Sequence, residues 1–206
     1  QYELAIEQYT QGIACDSTII LLYTNRGDAY FALKQYEQAR NDWMFAVAQG
    51  FDTASVSNSL GNASYNQGHY EQALQEYTKA IRQAPEEAGY FYNRADTYYK
   101  LNQYEQAIED YTQTIKLDAT YHVAYARRGD IHSVLKQYEQ AWADYDQALA
   151  LKPDFAEYSN ERGNISYNLT HFEEALQDYT RAIDLAPQAV YFYNRGDARN
   201  GLDQYE

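Results

Sequence analysis

Apolar and polar positions along this chain follow two periods at once. Over short stretches the apolar residues return every three or four positions. Between Leu21 and Ala48, Tyr23, Gly27, Ala29 and Tyr30 make one stripe, Lys34 and Gln35 interrupt it, and Ala39, Trp43, Ala46 and Val47 make a second. This spacing predicts two short amphipathic helices joined by a tight turn. Over the longer range the pattern returns every 34 residues: Ala5, Ala39, Ala73, Ala107, Ala141 and Ala175 are each followed four positions later by Tyr9, Trp43, Tyr77, Tyr111, Tyr145 or Tyr179. A helical hairpin of this length cannot bury its apolar face alone, so the copies must stack on one another.

Small residues recur inside the first helix of each copy, at Gly27, Gly61, Ala95, Gly129 and Gly163. Glycine costs about 1 kcal/mol relative to alanine inside a helix, so its return at one phase requires a packing reason; the spacing predicts close approach of two helix backbones. Tyr2, Tyr36, Tyr70, Tyr104, Tyr138 and Phe172 fall at the turns and are placed to plug the helix pair.

These residues resemble the tetratricopeptide repeat family, whose pattern runs aromatic, leucine, glycine, tyrosine, alanine, aromatic, alanine, proline. The resemblance covers the whole chain. It departs in two respects: arginine replaces the leucine before the glycine in most copies, and the closing proline occurs only at Pro85, Pro153 and Pro187. The fold it implies is all-α, a right-handed α-solenoid of stacked antiparallel helix-turn-helix repeats with about 12 helices.

The register divides the chain into a lone second helix at 3–17, full repeats at 20–53, 54–87, 88–121, 122–155 and 156–188, and the first helix of a truncated repeat at 189–206. The same turn sequence opens the chain at Gln1-Tyr2-Glu3 and closes it at Gln204-Tyr205-Glu206. Neither end reads as a polar capping helix, so the expectation is a piece of a longer array or end-to-end association of copies. A slower period lies beneath the repeat. Residues 54–85 match 156–187 at 19 of 32 positions but match the adjacent 88–119 at only 9, which points to duplication of a three-repeat block. Matches such as Ser57/Ser159, Asn66/Asn168 and His69/His171 lie outside the shared repeat pattern, and one residue is missing near Val190 in the second copy.

A net charge of −14 argues against nucleic acid or anionic membrane as the main partner and favours neutral or basic ligands. The apolar stripes are too short to span a bilayer, no signal-peptide pattern is present, and Cys15 is the only cysteine, so a cytoplasmic location is expected and an internal disulfide is impossible.

In the family the opening helix of each repeat lines the concave wall, which implies a peptide-binding groove. An acid or amide follows each small residue: Asp28, Asn62, Asp96, Asp130, Asn164 and Asp197. Around this ladder the resemblance adds Asn58, Asn93, Arg127, Asn160 and Asn194, with Tyr65, Tyr92, Tyr99 and Tyr167 as flat apolar area. Amides and carboxylates can pair with the main chain of an extended segment while tyrosines hold its side chains. The expected function is therefore a protein interaction scaffold for neutral or basic peptides. The alternatives are an architectural self-stacking module and the recognition arm of a larger enzyme.

Some family members hold acidic C-termini with two lysines, two asparagines and an arginine. This chain matches three of these at Asn62, Asn93 and Arg127, but Asn58 and Val123 stand where the lysines belong, so an acidic tail would lack its cationic clamp. Arg26, Arg94, Arg128 and Arg162 each precede Asp42, Asp110, Asp144 or Asp178 by 16 residues, which predicts an ion pair between the two helices of one repeat; the repeat with Leu60 carries Glu76 instead. The Arg-Gly-Asp triplets at 26–28, 128–130 and 195–197 and the sequons at Asn62, Asn164 and Asn168 fall within predicted helices. His69, His122, His132 and His171 keep no ligand spacing, and no catalytic, cofactor or metal site is expected.

Overall fold

The computed structural model describes residues 1–205 and consists, among them, of twelve α-helices without strands: α1 (Tyr2–Cys15), α2 (Ile20–Ala32), α3 (Tyr36–Ala48), α4 (Ala54–Asn66), α5 (Tyr70–Gln83), α6 (Ala88–Lys100), α7 (Tyr104–Leu117), α8 (His122–Val134), α9 (Tyr138–Leu151), α10 (Ala156–Asn168), α11 (Phe172–Leu185) and α12 (Ala189–Tyr205). The described residues form two compact units, Gln1–Asp110 and Tyr111–Glu206. In the first, each helix from α1 to α6 packs on the next; in the second, α8 to α12 do the same. α12 runs on to Tyr205, through the positions where the register places the last turn; Glu206 lies outside the described residues.

Within the repeats the turn is made by one residue of left-handed backbone, and it recurs with the sequence period: Lys34, Gly68, Asn102, Lys136 and Thr170, with φ of 59°, 79°, 56°, 58° and 62°. The next residue donates its N–H back to the helix just ended, Gln35 to Tyr30 O and His171 to Ser166 O, both at 2.9 Å. This is the Schellman arrangement, which satisfies helix-end carbonyls and favours glycine at the left-handed position. Only Gly68 meets that preference. Thr170, exposed and β-branched, is the poorest occupant. Thr170→Gly is accordingly expected to stabilise the chain by about 1 kcal/mol, read as a higher urea midpoint; an unchanged or lower midpoint would show that the turn carries no such strain.

The recurring glycines have a different reason from the one the sequence suggested. What lies against them is the aromatic ring of the second helix, 16 residues on, rather than a neighbouring backbone. A Cβ at Gly27 would sit 2.7 Å from the Trp43 ring, at Gly61 2.6 Å from Tyr77, at Gly129 3.0 Å from Tyr145, and at Gly163 2.8 Å from Tyr179. Each ring lies flat on the bare turn of the opening helix and is almost wholly buried. Such a ring contributes roughly 2–3 kcal/mol through burial of apolar surface.

The arginine pairs form as the spacing predicts. Arg26–Asp42 and Arg94–Asp110 close at 2.7 Å, and Arg128–Asp144 and Arg162–Asp178 at 2.6 Å. Each guanidinium also reaches 16 residues backwards, into the preceding repeat: Arg26 donates to Thr10 Oγ1 at 3.1 Å, Arg94 to Thr78 at 3.1 Å, Arg128 to Thr112 at 2.9 Å, and Arg162 to Asp146 at 2.6 Å. One arginine thus ties an opening helix to the second helices on both sides of it. Where Leu60 interrupts the series, Arg40 on α3 donates to Leu60 O at 3.1 Å and to Ser64 Oγ. Burial raises the Glu76 carboxyl above the ordinary range, an effect that the positive charges of Lys79 and Arg40 oppose.

Candidate functional site

The opening helices of successive repeats approach closely enough for their side chains to bond. In the first unit, Asn93 Nδ2 on α6 donates to Asn58 Oδ1 on α4 at 2.9 Å. In the second, Asn194 Nδ2 on α12 donates to Asn160 Oδ1 on α10, also at 2.9 Å, and to Asn164 Oδ1 at 3.1 Å. These helices therefore share one layer in each unit, and the sequence-predicted residues lie along it.

The acid–amide ladder is not a row of loose side chains. The aromatic of the second helix, 15 residues on, holds each rung it reaches. Trp43 Nε1 donates to Asp28 Oδ1 at 3.2 Å, Tyr77 OH to Asn62 Oδ1 at 2.7 Å, Tyr179 OH to Asn164 Oδ1 at 2.9 Å, and Tyr145 OH to Asp130 Oδ1. The ring that seals the glycine thus also fixes the rotamer of the next residue. Burial raises the Tyr77, Tyr145 and Tyr179 phenols above the usual range, so they remain donors at neutral pH. Burial also raises the Asp28 carboxyl, partly offset by its bond from Trp43.

In the first unit, Asn58, Asn62, Tyr65, Tyr92, Asn93, Asp96 and Tyr99 are half-buried on α4 and α6, and Asp28 on α2 is exposed at the edge of a cavity of about 420 Å³ lined also by Tyr2, Tyr9 and Asn25. In the second, Asp130, Asn164, Asn194 and Asp197 are half-buried, while Arg127 and Tyr167 are exposed. Asn160 is only 5 % exposed and serves to hold Asn194 and Glu161.

The structure adds a residue that the sequence reading passed over. Glu161 lies at the same register as Asn93 and Arg127, 34 residues beyond the latter, and that phase alone could have found it. Its carboxylate accepts from Asn160 Nδ2 and Asn164 Nδ2, each at 3.1 Å. Burial nevertheless raises its pKa above the ordinary carboxylate range, and the nearby Asp130 charge raises it further. It faces a cavity of about 360 Å³ between α8, α9 and α10, with Asp130 and Glu157 as further acids and Val123, Phe155 and Tyr158 among its apolar walls. Arg127 is the one cation on that wall among the described residues, and its guanidinium lies 3.4 Å from the Asp130 carboxylate. No group of three His, Cys, Asp or Glu side chains among the described residues could hold a metal, and no described helix is long and apolar enough to cross a membrane.

A tetratricopeptide repeat model matches residues 24–88, 58–122 and 92–137, together more than half of the chain, and related repeat models match 129–169 and 156–189. The chain belongs to the tetratricopeptide repeat family. A curated relative, RNA polymerase II-associated protein 3 of Xenopus tropicalis, is 46% identical over 48 residues, a match spanning 23% of this chain and 7% of that protein. Among solved structures, YrrB, described as a TPR protein with an unusual peptide-binding site, superposes with a TM-score of 0.74 at 20% identity, covering 90% of this chain and 96% of that one. The first TPR of Spaghetti (RPAP3), bound to the HSP90 peptide SRMEEVD, is 34% identical with a TM-score of 0.55, covering 57% of this chain and 93% of that one. Repeats of this family mark the chain as a protein–protein interaction scaffold.

Proposed function

We propose that this tetratricopeptide repeat chain binds an extended, neutral or basic segment of another protein along the layer of its opening helices. The observation that carries this reading is the cavity between α8, α9 and α10, where Asp130, Glu157 and Glu161 outnumber Arg127 and aromatic rings form the wall. A lysine or arginine side chain would lay its methylene stem on Phe155 and Tyr158 and bring its charge to carboxylates that lack enough positive partners. The amide rungs at Asn62, Asn93, Asn164 and Asn194 can meet the main chain of the same ligand, since each asparagine offers two donors and two acceptor positions.

The acidic peptide held by the Spaghetti repeat suits this chain poorly. Val123 lines the cavity where a lysine would be needed, and Arg127 is already paired with Asp130. The test is Asp96→Lys combined with Asp130→Lys, titrated against a fluorescein-labelled decapeptide of alternating glycine and lysine. At least a tenfold loss of affinity, about 1.4 kcal/mol, is expected. Glu105→Lys with Glu173→Lys makes the same change in net charge at exposed second-helix positions and should lose much less. Equal losses in the two variants would reduce the effect to overall charge and overturn the proposed location.

A further inference from the structure

The second unit holds a polar cavity of about 170 Å³ lined by Asn164, Tyr167, Asn168, Tyr179, Asn194 and Asp197. All six have an identical counterpart in the first unit: Asn62, Tyr65, Asn66, Tyr77, Asn93 and Asp96. The duplicated segments 54–85 and 156–187 agree at only 19 of 32 positions, so the lining is kept better than the block that carries it. The general repeat pattern does not account for this. The positions of Asn62 and Asn66 are filled by Asp28 and Ala32, Asp96 and Lys100, and Asp130 and Val134 in the other repeats.

The side chains are also set in the same way. Tyr77 OH donates to Asn62 Oδ1 at 2.7 Å and Tyr179 OH to Asn164 Oδ1 at 2.9 Å. Asn66 Nδ2 donates to Asn62 O at 2.7 Å and Asn168 Nδ2 to Asn164 O at 2.8 Å. Asn93 and Asn194 each donate to an asparagine of the preceding opening helix at 2.9 Å. The scaffold around the rungs has drifted meanwhile. Ser57 Oγ lies 3.4 Å from Gln83 Oε1, whereas in the second copy Leu185 replaces the glutamine and Ser159 Oγ is buried without a partner.

From this geometry we infer that the chain carries two copies of one amide-reading subsite, one on α4–α6 and one on α10–α12, and that its ligand presents the same short main-chain element twice. This rests on the peptide-binding reading above and specifies it. Asparagine amides oriented by tyrosine hydroxyls offer donors and acceptors to the N–H and C=O of an extended segment, with a tyrosine face beside them for its side chain.

The test titrates the isotope-labelled chain with the capped tripeptide acetyl-Gly-Lys-Gly-amide at millimolar concentration, following asparagine side-chain amide resonances and the stoichiometry. Both sets, Asn62 with Asn93 and Asn164 with Asn194, are expected to shift, with two peptides bound per chain. Asn62→Ala with Asn93→Ala should silence the first set and leave one peptide bound, and Asn164→Ala with Asn194→Ala the reverse. Should a variant fail to fold, the spectra of the unaltered chain still decide. If one set alone shifts, or if only resonances around the α8–α10 cavity move, the twin subsites are overturned while peptide binding stands. If nothing shifts, both readings fall.

Discussion

Asp42→Ala is expected to lower the unfolding free energy by about 3 kcal/mol, because it strands the Arg26 guanidinium in a site built for a charge pair. Asp42 accepts from Arg26 Nε at 2.8 Å and Nη2 at 2.7 Å, and the two side chains are 9 % and 16 % exposed. Tyr23 and Tyr30 pack over the guanidinium on either side, so it cannot swing out to water without leaving both rings. The Asp42 bond raises the Arg26 pKa further, so loss of its proton offers no escape. Because the same arginine also reaches Thr10 in α1, the loss should spread to the packing of α1 on α2. Urea unfolding measures the total, and hydrogen exchange in α1 reads the spread. The double variant Arg26→Met with Asp42→Leu should recover most of the stability, since an apolar pair of similar volume removes both charges together. A cost below about 1 kcal/mol for the single change would assign the pair to the class of exposed salt bridges.

Gly61→Val should cost about 3 kcal/mol, at the upper end for an overpacked core. Its Cβ would lie 2.6 Å from the Tyr77 ring, which is 1 % exposed and tethered through its hydroxyl to Asn62. The ring has nowhere to move, so the opening helix must lift away from α5. Tyr77→Leu in the same chain should restore part of the loss by giving up ring volume. Gly196, with nothing within 4 Å of an added Cβ, provides the contrast. There alanine should stabilise by up to about 1 kcal/mol through helix propensity. Equal effects at the two positions in denaturant titrations would show that the glycines serve flexibility rather than ring packing.

Much of this architecture is legible in the chain because the relevant interactions are local or periodic. The helix pairs follow from the apolar stripe, and the Arg–Asp pairs follow from a fixed separation that repeats with the fold. Other features were hidden for specific reasons. The left-handed turn residue is masked because lysine, asparagine and threonine stand where glycine would have announced it. The backward reach of each arginine needs a threonine or aspartate from another repeat, and threonine carries no charge to draw attention. Glu161 was passed over because its neighbours in register are Asn93 and Arg127, so composition gives no signal where only phase does.

By itself the sequence determined the repeat, its helical hairpins, the pairing of charges within each repeat and the duplication of a three-repeat block, because each of these is a matter of spacing along one chain. Only the tertiary structure decided that rings rather than backbones lie on the glycines, that those rings also fix the ladder residues, and that Glu161 joins Asp130 at one cavity. These depend on side-chain direction and on how deeply a group is withdrawn from water, which neither the identity of a residue nor its separation from another specifies.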